Sequence, residues 1–290
     1  MDRAGRERVP PRRAPSSVTA GLWHCAAMQL RAGFTFTVAA RFYSDRSWVE
    51  RLEINGGVQS NLDGVFPRQD WRRLTSGERA ILVAEEPRSG SAAALAPAEV
   101  SVFTVPEHLR DGWWVVAEDV GSPEGNAAEY ERFVVATLEF LNFKALPLPE
   151  RCRFDLVARA PGQDATRIDD AGRRLGVSPD SRSGSHDRLV AAINLGDELS
   201  HLTVLNLGLR EMRAMLDESS AEARAIDETS RLFFSDFPTY PLVRVGLAPC
   251  EGLWLPESAI VWHGDTRGKQ EPDIVLLIRA EQLPLCASTA

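Results

Sequence analysis

Apolar residues along this chain alternate with polar ones far more often than they recur at helical spacing. Phe34–Tyr43 (FTFTVAARFY), Ala80–Glu85, Val100–Val105, Trp113–Asp119, Cys152–Ala160, Leu189–Leu195 and Leu202–Leu207 are rich in β-branched and aromatic residues and bounded by Gly, Pro, Ser or Asp, as strands are. Between Tyr240 and Arg279 four more such runs follow: Leu242–Leu247, Gly252–Leu255, Ala259–Trp262 and Asp273–Ile278. Their close spacing predicts an antiparallel meander. Helical spacing is confined to three stretches. Ser47–Gly56 has a capping serine and a glycine stop. Ser122–Phe143 has Ser122 as cap, Pro123 at the first helical position and a face of Tyr130, Phe133, Val134, Thr137, Leu138 and Leu141. Leu209–Asp236 reads as two helices broken near Glu218–Ser220. Asn61–Arg73, with Phe66 and Trp71, reads as a packed loop. The pattern predicts a mostly β protein with flanking helices.

Composition fits one large unit. Apolar residues at 44% and charged residues at 26% are ordinary for a globular domain, and all-β domains reach this length as one core. Residues 1–30 are rich in Arg and Pro and predict a disordered tail, leaving 31–290 as a single domain with helical decorations. A net charge of −8, without any Lys/Arg stripe interleaved with aromatics, argues against nucleic-acid binding. The four cysteines, Cys25, Cys152, Cys250 and Cys286, are widely spaced and suggest neither a zinc site nor a disulfide framework. With no run of about 18 apolar residues to cross a membrane, a cytoplasmic protein is the expectation.

The candidate chemistry gathers where the third run of the C-terminal stretch ends. His263 is followed by Gly264, Asp265, Thr266, Arg267, Gly268 and Lys269. An imidazole, a carboxylate, a hydroxyl and cations in one turn at a sheet rim is how a rigid scaffold presents a site. His201, by contrast, reads as a solvated residue in a tight turn between strands.

Strands, an inserted helical stretch and strands ending in a histidine-bearing turn resemble the double-stranded β-helix, or cupin-type jelly-roll barrel. The run from Glu251-Gly252 through His263, Gly264-Asp265-Thr266 and Ile274–Ile278 is similar to the closing strands of the non-haem Fe(II), 2-oxoglutarate-dependent dioxygenases of the phytanoyl type. RLVAAINLGD (Arg188–Asp197) and LTVLNL (Leu202–Leu207) resemble that family's mid-barrel strands, so the likeness covers roughly the second half of the chain. It implies iron held by two histidines and a carboxylate, with open positions for the keto acid and oxygen. His263 matches the distal histidine. GVSPDS (Gly176–Ser181) aligns with the HxD motif, putting Asp180 in the carboxylate place and Ser178 where a histidine belongs; His186, in the same loop, is the substitute. The family's arginine for the keto acid falls here at Pro272-Asp273-Ile274, so Arg244, Arg279 and Thr266, or Lys269, remain for the cosubstrate.

Two departures at once, in a metal ligand and in the carboxylate anchor, open two versions of one enzyme. Either an irregular Fe(II) site oxygenates a small biosynthetic molecule with 2-oxoglutarate, or the old metal pocket does metal-free cyclisation or elimination. In the second version His263 beside Asp265 is a general base and Lys269, Arg267 or Arg244 neutralises an anionic group of the substrate. A different class, a non-catalytic binding, immunity or partner-stabilising subunit in a homodimer or heteromer, follows from the same departures. A plain cupin isomerase lacks its His-rich strand motif here.

Overall fold

A computed structural model describes residues 29–38, 46–61, 64–84, 99–112, 127–140, 152–159, 188–216, 226–256, 260–266 and 268–281. Its strands are β1 (Thr35–Val38), β2 (Leu52–Ile54), β3 (Val58–Asn61), β4 (Gly64–Pro67), β5 (Arg72–Arg73), β6 (Glu99–Thr104), β7 (Cys152–Arg159), β8 (Arg188–Asn194), β9 (Ser200–Gly208), β10 (Val243–Leu247), β11 (Glu251–Pro256), β12 (Ile260–Asp265) and β13 (Asp273–Glu281). Its α-helices include α1 (Ser76–Leu82), α2 (Ala127–Phe140), α3 (Leu209–Met215) and α4 (Ile226–Asp236), and residues 107–112 are helical as well.

The strands form a six-stranded sheet, β1-β6-β11-β8-β13-β7, a five-stranded sheet, β12-β9-β10-β2-β5, and the hairpin β3-β4. Antiparallel pairing dominates, with β1 and β6 parallel. One apolar cluster fills the space between the two larger sheets. Val100, Val102, Val190, Ala192, Leu253, Leu255, Val275 and Leu277 come from the first sheet, and Leu52, Ile54, Leu202, Val204, Val243, Val245 and Trp262 from the second. Each set is every other residue of its strand, which is the pleat at work.

The four C-terminal strands do not form the meander their spacing predicts. β10 and β12 lie in the second sheet, β11 and β13 in the first, so chain neighbours never pair. The reason is apolarity on both faces. In β13, Val275, Leu276, Leu277 and Ile278 are all buried, as are Leu253, Trp254 and Leu255 in β11. A two-layer meander leaves one face to solvent; these strands sit inside their sheet under covered faces.

The outer face of the second sheet is capped at one end by α3 and α4. Leu205, Leu207 and Leu242 pack there against Met212, Phe233, Phe234 and Tyr240. Tyr240 also ties down the first described segment. Its phenol donates to Asn206 Oδ1 at 3.0 Å and accepts from the Arg31 amide at 3.3 Å, while Asn206 Nδ2 donates to the Arg31 carbonyl at 2.8 Å.

Three further expectations change. Ser47–Gly56 is not one helix but a 3₁₀ turn, Arg46–Arg51, running into β2, because Leu52 and Ile54 both face the inter-sheet core. Ala80–Leu82 belongs to α1, whose start is set by a capping box between Thr75 and Glu78 that alternation alone hides; Val83 keeps only an isolated bridge to Phe36, and Glu85 lies outside the described residues. Asn61–Arg73 contains half of the β3-β4 hairpin and β5. The 1–30 tail (save Gln29 and Leu30), Trp113–Asp119, Ser122 and the Glu218–Ser220 break lie outside the described residues. Where α2 is described, Phe133 and Thr137 are buried and Arg132 and Glu139 exposed, the core-facing stripe its spacing predicts.

Candidate functional site

β12 extends past His263. The backbones of His263, Gly264 and Asp265 pair with Thr203, Leu202 and His201 of β9. The turn therefore begins at Thr266, and Asp265 is a strand residue. His201 is one too: it lies opposite Asp265 on one side and Gly246 of β10 on the other. Thr203 is opposite Arg244 of β10, which is opposite Glu53 of β2, which is opposite Arg73 of β5.

Alternation fixes the face. Leu202, Val204, Val243 and Val245 point into the inter-sheet core, so His201, Thr203 and Arg244 occupy the other side of the second sheet. The polar site thus forms outside the sandwich interior, which is packed with apolar side chains. It is nonetheless sheltered: Thr203 is 1% and Asp265 2% exposed.

Arg244 is its centre. The guanidinium lies 4.5 Å from the centroid of the Trp71 ring, within cation–π range. Its Nε donates to Glu53 Oε2 at 2.9 Å and Nη2 makes a second, shorter bond to the same oxygen. Nη1 stands 3.9 Å from Asp265 Oδ2, an ion pair without a hydrogen bond. The His201 ring leans over Gly246: a Cβ built there would come 3.5 Å from His201 Cδ2 and 3.5 Å from Arg51 Cβ. Burial holds this imidazole below its ordinary pKa and Arg244 pushes the same way, while Asp265 and Glu53 act in opposition. At neutral pH it is therefore uncharged.

Lys269 is committed elsewhere. Its Nζ bonds Asp273 Oδ1 at 2.6 Å, the two side chains being 3% and 0% exposed. A further carboxylate, Glu198, accepts from the amides of Gln270 and Glu271 and so fastens the same turn to the connection between β8 and β9. Thr266 is buried in that turn.

Of the residues singled out in the sequence, Asp265 and Arg244 come together, with Thr266 and Lys269 in the adjoining turn. Asp180, His186 and Arg267 lie outside the described residues, as do the side chains of His263 and Arg279. His201, Thr203, Trp71 and Glu53 were missed. The signal existed: Ser200-His201-Leu202-Thr203-Val204 alternates polar and apolar, which extends the strand back over His201 and puts it on one face with Thr203.

Among the described residues no three His, Cys, Asp or Glu side chains are placed to hold a metal ion. Asp265 and His201 are opposed in backbone register, yet Arg244 already supplies positive charge between Asp265 and Glu53. This donor set does not fit Fe(II); Asp180, His186 and the side chain of His263 lie outside the described residues.

No protein-family model and no curated protein matches the chain. Among solved structures, one similar chain is the Kdo hydroxylase KdoO, a non-heme Fe(II) alphaketoglutarate-dependent dioxygenase, in complex with cobalt(II). The match covers 62% of this chain and 78% of that one at 14% identity, with a TM-score of 0.38, a likeness too slight to assign a family. No helix among the described residues is long and apolar enough to cross a membrane.

Proposed function

We propose that this chain is a small-molecule enzyme of the biosynthetic type, built on the double-stranded β-helix scaffold of the 2-oxoglutarate dioxygenases, whose described polar site does acid–base rather than oxygen chemistry. The strand order supports the scaffold. From β8 onward the chain crosses between two facing sheets, and β13 inserts between β7 and β8, as Greek-key connections of a jelly roll do. The observation that carries the chemistry is the sheltered grouping of His201, Asp265 and Arg244 on one sheet face.

An uncharged imidazole is able to accept a proton, and Asp265 and Glu53 then stabilise the imidazolium that forms. Arg244, clamped by Glu53 and Trp71, holds its remaining edge toward Asp265. His263, paired in backbone register with Thr203, is the second candidate base. Arg244 and Lys269 each already pair with a carboxylate, so neither is left to meet an anionic group of the substrate.

The test is iron titration of the purified protein with 2-oxoglutarate consumption followed, alongside turnover assays of His201→Gln and His263→Ala. Acid–base chemistry gives activity without added iron that falls at least about a hundredfold in one of the two variants. Stoichiometric tight Fe(II) with keto-acid consumption moves the chain to the oxygenase version, with His263, Asp180 and His186 as its ligands.

A second reading has its own support. The space between the sheets is filled by apolar side chains, leaving the interior as a core rather than a chamber. That suits a non-catalytic binding or partner-stabilising subunit, alone as a homodimer or in a heteromer. A stable complex whose activity survives substitution of His201, His263 and Asp265 together establishes it.

A further inference from the structure

Three buried polar atoms around Arg244 have no hydrogen-bond partner among the described residues: Thr203 Oγ1, His201 Nδ1 and Trp71 Nε1. Leaving such an atom unpaired is costly, so native proteins rarely gather several in one place without a use for them. The indole nitrogens of Trp48 and Trp262, also without a partner, belong to residues of the inter-sheet core. Here the three share one neighbourhood. Thr203 is directly opposite Arg244 and two residues from His201 on the same face, and Trp71 covers the guanidinium. Arg244 and Glu53, at 15% and 29% side-chain exposure, place the group next to the protein surface.

The donor and charge inventory narrows what fits. Trp71 Nε1 only donates, whereas the Thr203 hydroxyl and a neutral imidazole either donate or accept. The sheltered cations near His201 already have carboxylates, Arg244 with Glu53, Arg51 with Glu251 and Lys269 with Asp273, while Arg73, opposite Glu53 in the ladder, is exposed. Asp265 is one carboxylate more. The sheltered cations are thus already neutralised, which favours an uncharged ligand over an anion beside them.

We propose that this niche on the outer face of the five-stranded sheet binds an uncharged planar group of the amide class, which accepts from Trp71 and exchanges hydrogen bonds with Thr203 and His201. The proposal rests on the same site as the acid–base reading but not on any turnover. It names the substrate group that this face holds.

Three probes of one shape and three charges test it: acetamide, acetate and acetamidinium, titrated into the ¹⁵N-labelled full-length protein. The readout is the Trp71 indole N–H resonance, assigned with Trp71→Phe. Acetamide should shift it saturably, with millimolar or weaker affinity expected of so small a ligand, and acetate should not. Thr203→Val, which keeps the side-chain shape, should weaken acetamide about tenfold. The same variant should raise the melting temperature of the ligand-free protein, because it removes an unpaired hydroxyl. No shift with acetamide, a shift equal with acetate, or Thr203→Val binding as the parent does overturns the proposal. Each result is read without substrate or iron, so it stands apart from the fate of the acid–base reading.

Discussion

Asp265 and His201 occupy directly opposed positions in the ladder between β12 and β9, with Arg244 3.9 Å from the carboxylate on the neighbouring strand. The half-buried imidazole is held below its ordinary pKa of 6.5, first by desolvation and then by Arg244. Protons therefore bind the unfolded chain before the folded one as pH falls. This contribution to stability is complete above about pH 6.5 and declines below it, down to the folded-state pKa. Urea denaturation between pH 5 and 8 should show that decline, and His201→Gln should flatten it.

Lys269 and Asp273 test a different balance. Both are buried and bonded at 2.6 Å, so removing one partner strands a charge. Lys269→Met should cost about 3–5 kcal/mol, while the double variant Lys269→Met, Asp273→Leu should recover much of that loss. Chemical denaturation of the two single variants and the double variant gives the coupling directly. Additive losses contradict the ion pair.

Tyr240→Phe removes the hydroxyl that joins Asn206 to the Arg31 backbone. With Asn206 Oδ1 buried and left short of a donor, the expected loss is about 1–3 kcal/mol. Burial pushes this phenol up to about 12, so alkaline spectrophotometric titration should lose its highest-pKa component in the variant.

Gly57 carries a φ of +99°, and a Cβ there would overlap the Pro238 carbonyl and sit 2.8 Å from Thr239 C. Backbone strain and collision act together. Gly57→Ala should cost at least about 1–3 kcal/mol, read as a fall in melting temperature, whereas Gly77→Ala, with nothing within 4 Å, should leave it nearly unchanged.

The sequence makes most strands legible because their apolar residues are dense enough to mark them without their partners. Leu202–Leu207 and Val100–Val105 fall almost wholly within β9 and β6. Pairing is another matter. Nothing local in Leu242–Pro256 tells that β10 and β11 belong to different sheets, since that depends on what covers each face. α1 was hidden because its Ala80-Ile81-Leu82-Val83 run reads as strand, while the deciding Thr75–Glu78 box lies upstream. At the site, Asp265 and Arg244 were legible as charged residues near strand ends. His201 was not, because the preceding Gly196-Asp197-Glu198 suggests that the turn continues through it. Its role emerges only when β12 and β10 flank it.

The sheet order also governs how this molecule has to be made. β13 lies between β7 and β8, both of which leave the ribosome long before it does. Until it arrives, two strand edges in the larger layer stay open, with their backbone amides and carbonyls available to a stray chain. Folding must therefore wait on distant contacts, and slow refolding with aggregation that worsens at high concentration is the behaviour such an arrangement imposes.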